Sequence, residues 1–150
     1  MLGRKFMDYV RFESWILILI VVVFIVRLGL SLIGASFSQI RFVSINLVLL
    51  VGWIYCAIAV HVRKFGGYRQ LFGLLLVQNA LAHKLIALAI VISIVTAKAN
   101  IFTAPEVSGG SDGATWLHAG AHIIAGYVIT VFAWLFGSVI LFVTRKLKPA

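Results

Sequence analysis

The chain has 150 residues, 63% of them apolar and only 11% charged, with a net charge of +9. Such proportions exclude an ordinary water-soluble globular domain. The cations lie between apolar runs and not on a face interleaved with stacking aromatics, so they read as topology signals and lipid-headgroup contacts, with no nucleic-acid partner.

Four stretches reach or approach the roughly 20 apolar residues that cross a hydrocarbon core about 30 Å thick. A transmembrane barrel would alternate apolar and polar residues, whereas Trp15 to Val26 is continuously apolar. Continuous runs of that kind satisfy their backbone amides only as helices. The expected fold is therefore all-α: a polytopic integral membrane protein, a four-transmembrane-helix bundle forming one domain over residues 1–150.

The first helix is expected at about 14–34, after a polar start holding Arg4, Lys5 and Arg11. Its apolar run is longer than the roughly 7–15 residues of a signal peptide, so the start reads as an uncleaved anchor. A short polar link around Ser36, Ser38, Gln39 and Arg41 leads to a second helix at about 43–62. A basic turn with Gly66-Gly67 follows. The third helix is expected at about 71–97 and the fourth at about 115–144, separated by the longest polar stretch, 98–114, which is too small for a folded domain.

Orientation follows from the short-loop cations. Arg4, Lys5, Arg11, Arg63, Lys64, Arg69, Arg145, Lys146 and Lys148 fall on one side, against only Arg41 and Lys98 on the other. The expectation is N-in/C-in, with both termini cytoplasmic and the plasma (inner) membrane as location.

Two cations, Arg27 and Lys84, lie inside apolar runs, where a charge costs roughly 2.5–3.5 kcal/mol near the helix centre. The four acids, Asp8, Glu13, Glu106 and Asp112, all map to segment ends or loops, which leaves no carboxylate at depth to meet either cation. Arg27 is about 10 Å from its helix end and can snorkel. Lys84 is too deep for that and calls for a partner.

Polar side chains accompany Lys84 on the third helix. Asn79 and His83 are spaced i,i+4 on a face continuing through Ile86, Ile90 and Ser93, with Lys84 about 100° away. Gln78 and Asn79 suit interhelical hydrogen bonds. On the fourth helix His118 and His122 are again i,i+4, continuing through Gly126 and Thr130, half of a metal site for a divalent ion such as Zn²⁺ or Cu²⁺ with Glu106 and Asp112 nearby.

Haem b would need two histidines at one depth on facing helices. His83 and His122 are the best pair, with His61 at one edge, but straight helices set their levels roughly 10 Å apart. Cys56, the only cysteine, reads as a small buried hydrophobe.

Three readings follow. The leading one is a small oligomeric channel or transport protein in which Lys84, with His83, Asn79, Gln78 and Arg27, presents positive charge to an anionic solute, lipid or water path. The second is an accessory subunit of a larger membrane complex, with a partner chain supplying acids. The third is a haem- or metal-binding electron-transfer protein using His83, His118 and His122. Lipids and either further copies or a partner subunit are the expected partners. No nucleophile with a positioned base emerges, so enzymatic chemistry is not the expectation.

Overall fold

A computed structural model describes residues 2–109 and 113–147. Its elements are all helical: α1 (Phe6–Phe12), α2 (Ser14–Leu32), α3 (Phe37–Ile40), α4 (Ile45–Val62), α5 (Tyr68–Thr96), α6 (Pro105–Ser108) and α7 (Trp116–Leu147). Four helices are long and apolar enough to cross a membrane: α2, α3 with α4, α5 and α7. Their bounds lie close to the expected ones, with α5 starting three residues earlier and α7 running to Leu147.

Each start has a local cause. The Ser36 amide donates to Gln39 Oε1 at 2.9 Å, turning the link into α3, and Ser44 Oγ accepts the Leu47 amide to begin α4. At the head of α5 the Gly67 amide donates to Gln70 Oε1 at 2.9 Å, which draws Tyr68 into the helix. Ala97, in the left-handed region, ends α5.

The polar start expected before the first span is itself helical. Helix α1 runs almost without a break into α2, since Glu13 N bonds Tyr9 O and Ile16 N bonds Glu13 O. Tyr9 is completely buried, its ring seated where a Cβ on Gly73 of α5 would stand. Phe65 meets that ring edge-on at 5.5 Å, and Arg4 lies over Phe65 while donating from Nε to its carbonyl. An aromatic and cationic clasp thus holds α1 on α5.

Helix α5 is the central staff, touching α1, α2, α4 and α7. Its closest neighbour is α7, because Gly126 and Gly137 let the two approach: Gly126 faces His83, and Gly137 faces Leu71 and Ala57 of α4. The outside is lined by large apolar side chains such as Ile25, Leu88, Phe132 and Val139, whereas Glu13, Gln78, Asn79 and Thr130 are all buried.

The described part of the 98–114 stretch carries the short α6 and plugs one end of the bundle. Asn100 donates to Ala89 O, Ser31 Oγ accepts the Ile101 amide, and Phe102 stacks on Phe24. We call this the loop end. At the opposite, basic end Arg4 meets Phe65, Arg63 lies over Phe12 and Arg145 lies over Tyr68, so the cations of three separate segments gather there.

Candidate functional site: a polar seam inside the bundle

The interior polar groups follow one another from the loop end toward the basic end as three separate groups: the histidines, the Asn79–Thr130 pair and the Gln78–Glu13–Cys56 cluster. The succession begins at His118, half-exposed near the start of α7, whose Nδ1 lies 2.8 Å from Gly113 O, fixing the ring. One turn on, the His122 ring sits 5.0 Å from that of His118. His122 Nδ1 is in turn 3.2 Å from Nδ1 of His83, across the α5–α7 contact. The imidazoles therefore step inward, from the half-exposed His118 to His83, which is 7% exposed.

This corrects the expected 10 Å offset of His83 and His122. The straight-helix estimate took α5 and α7 to share end levels, but the register is set by Gly126 seated against His83, which puts His122, four residues earlier, at the level of His83.

One turn further along α5, Asn79 Nδ2 donates to Leu75 O and, at 3.3 Å, to Thr130 Oγ1 of α7. Thr130 Oγ1 donates its own hydrogen bond to Gly126 O. The next residue, Gln78, points to the other side of α5, where its Nε2 donates to Glu13 Oε2 at 2.6 Å and approaches Cys56 Sγ of α4 at 3.1 Å. The Cys56 thiol also faces Glu13 Oε2, at 3.6 Å.

Glu13 holds its expected place and adds a feature that a count of acids does not show. It does lie at a segment end, just before α2, yet it is 0% exposed. The α1 clasp carries it into the bundle, a tertiary effect that a count of apolar residues does not register. Burial pushes its carboxyl up to about 8 from its ordinary 4.5, with the Gln78 and Cys56 hydrogen bonds opposing the shift. Among the buried atoms left without a hydrogen-bond partner are Glu13 Oε1, Gln78 Oε1 and Asn79 Oδ1, three acceptors in the middle of the seam.

Beyond Glu13, Tyr9 stands one turn away on α1, its hydroxyl 3.3 Å from Leu2 O. A polar cleft of about 830 Å³ opens beside it at the basic end, lined by Gly3, Arg4, Lys5, Asp8 and Gln70.

The two cations of the apolar runs, expected to share a path with these residues, stand apart from each other. Arg27 reaches to the loop end, donating from Nη1 to Val43 O at 2.9 Å, with its guanidinium carbon 5.5 Å from the Phe102 ring centre. It shares a 360 Å³ cavity with Asn46, His83 and His122. Lys84 instead points out of the bundle into an apolar groove, on the side of α5 that the 100° offset predicts.

Among the described residues no three His, Cys, Asp or Glu side chains converge on one metal position. Asp112, named with Glu106 for such a site, lies outside the described residues. His83 and His122 alone could share an ion, their 3.2 Å separation matching two ligands at about 2.0–2.1 Å from one tetrahedral centre. Haem iron between the same rings would hold the nitrogens about 4 Å apart, twice that bond length, on opposite faces of a porphyrin. With Gly126 packed on His83, α5 and α7 leave no such slot between the rings.

No protein-family model matches the chain, and no curated protein or solved structure matches it.

Proposed function

We propose that this is an integral membrane protein, oriented N-in/C-in, that carries protons across the bilayer through the seam between His118 and the basic-end cleft. The apolar exterior over four sufficiently long helices supports insertion. The gathering of cations at one end supports the orientation. The reading stays within the transport class expected from the sequence and takes the proton, not an anion, as the solute.

The observation that carries it is the succession of titratable and polar groups that leads from the half-exposed His118 and His122 to the buried His83, Asn79–Thr130 and Gln78–Glu13, inside an otherwise apolar bundle. Ionisable groups at membrane depth are costly, and series of Glu and His are the usual material of proton relays. An imidazole accepts a proton on one nitrogen and releases one from the other, so three adjacent rings pass protons inward. Amides and hydroxyls do not titrate in this range. Asn79, Thr130 and Gln78 instead orient water, the orphan acceptors Asn79 Oδ1 and Gln78 Oε1 supplying its hydrogen bonds. Glu13, raised toward neutrality by burial, then exchanges its proton with the basic-end cleft past Tyr9.

The test is a pH-dye assay of liposomes holding the purified protein under an imposed potential. Flux above that of empty vesicles is expected, falling at least about tenfold in His83→Ala and in Glu13→Gln. Flux equal to that of empty vesicles, or unchanged in both variants, would sink the reading.

A second reading, a metal site on His83 and His122, is favoured by their Nδ1 separation alone. Metal analysis and a visible spectrum of the purified protein decide it, a Soret band marking haem and a stoichiometric ion without one marking a bare metal.

A further inference from the structure

Lys84 is used by no part of the seam. It lies sixteen residues after Tyr68 and twelve before Thr96, roughly 24 and 18 Å from the two ends of α5 at 1.5 Å per residue. Neither end is within snorkelling reach. No described residue supplies it with a hydrogen bond or ion pair, and the one buried carboxyl among the described residues, Glu13, is turned to Gln78 and Cys56 on the far side of the helix.

Lys84 stands instead at a concave groove of about 440 Å³. The walls are Phe6 and Val10 of α1, Leu17 of α2, and Leu81 of α5, with Tyr127 of α7 as the other side chain bearing a polar group. The volume falls within the roughly 300–1,000 Å³ of small-ligand sites. Its polarity is that of an amphiphile's mould: an apolar trough with a lone amine on its wall.

We propose that this groove binds a single-chain carboxylic acid of the fatty-acid class, its carboxyl paired with Lys84 and its alkyl chain lying along the trough toward α1. Charge complementarity selects the head, because an amine in apolar surroundings is best matched by one acid, and the pair has no net charge wherever its proton resides. A phospholipid does not fit this role, since its headgroup stays at the interface and only its tails reach the depth of Lys84. A carboxylic acid reaches that depth as the neutral acid, which a phosphate or sulfonate does not. The inference needs the chain to span a bilayer but is independent of proton conduction.

The experiment uses the full chain in phosphatidylcholine nanodiscs with stearic acid spin-labelled near its tail end, read by electron paramagnetic resonance. A saturable immobilised component is expected, displaced by oleate but not by methyl oleate. Affinity should fall at least about tenfold in Lys84→Met and be retained in Lys84→Arg. Leu81→Trp, which fills the trough and keeps Lys84, should also abolish binding, with helicity checked by circular dichroism. Equal binding by Lys84→Met, equal competition by the methyl ester, or only the mobile component of annular lipid would overturn the proposal. So would a co-purifying membrane protein that is released by Lys84→Met while the spin label shows no saturable binding. Because no flux is measured, failure here leaves the proton reading standing, and the converse holds too.

Discussion

Gln78 on α5 donates to Glu13 at the α1–α2 junction over 2.6 Å, joining residues 65 apart in sequence inside the bundle. The groups turned to Glu13 are the Gln78 amide and the Cys56 thiol. An acid raised by burial favours the folded state most when it is protonated. Its contribution is fully present below the ordinary value of 4.5 and is lost as pH rises through about 8. Thermal unfolding in mild detergent should therefore give a midpoint that declines between about pH 5 and pH 8 and levels off above. Glu13→Gln, which keeps the shape and cannot ionise, should flatten that decline. A wild-type midpoint that rises over the same interval would contradict the burial argument.

The Asn79–Thr130 contact makes a separate prediction. Thr130→Val keeps the volume but removes the acceptor of the Asn79 amide, so Asn79 Nδ2 keeps only its bond to Leu75 O. One interhelical hydrogen bond of this kind is worth about 0.6–2 kcal/mol. The variant should fold with that modest loss while proton flux drops severalfold, because the water proposed to pass protons between His83 and Glu13 loses the Thr130 hydroxyl. Loss of stability without loss of flux would remove Thr130 from the path.

The imidazole series predicts a blocker. Zn²⁺ added on the loop-end side should inhibit flux by bridging His118, His122 or His83, whose rings are 5.0 and 5.4 Å apart in succession. His122 is the central ring, so His122→Ala should weaken inhibition by about tenfold or more, one lost ligand being worth at least that. Zn²⁺ that inhibits the variant as strongly as the wild type acts elsewhere.

How much of this could be read from the sequence depends on which interaction decides each feature. The spans were legible because apolar length is a property of single segments, and the inward face of α5 was legible because Asn79, His83, Ile86, Ile90 and Ser93 follow helical spacing and are all buried. Lys84 points away from them for the same reason. Two decisive facts were not legible. Glu13 stands beside polar residues in the sequence, and only the docking of Tyr9 against Gly73 draws it inside. The meeting of His83 with His122 depends on the register of α5 on α7, which no periodicity of either helix encodes. A glycine four residues after His122 and a turn before Thr130 was the available signal, since a small residue marks where a neighbouring backbone draws near.

That register gives a paired test on α7. A Cβ on Gly126 would stand 3.0 Å from His83 Cβ, 3.3 Å from Asn79 O and 3.4 Å from His83 Cγ, whereas one on Gly120 meets nothing within 4 Å. Both substitutions by alanine gain helix propensity, worth about 0.8–1.0 kcal/mol. Gly120→Ala should therefore be neutral or slightly stabilising and conduct normally. In Gly126→Ala overpacking of about 1–3 kcal/mol opposes that gain, and the atoms that must yield are a Cβ and a backbone carbonyl, neither of which can swing aside. The helices must separate, pulling His83 from His122, so flux should fall by an order of magnitude even where the unfolding midpoint moves only a few degrees. Equal flux in the two variants, measured at equal reconstitution, would mean that the His83–His122 contact carries no protons.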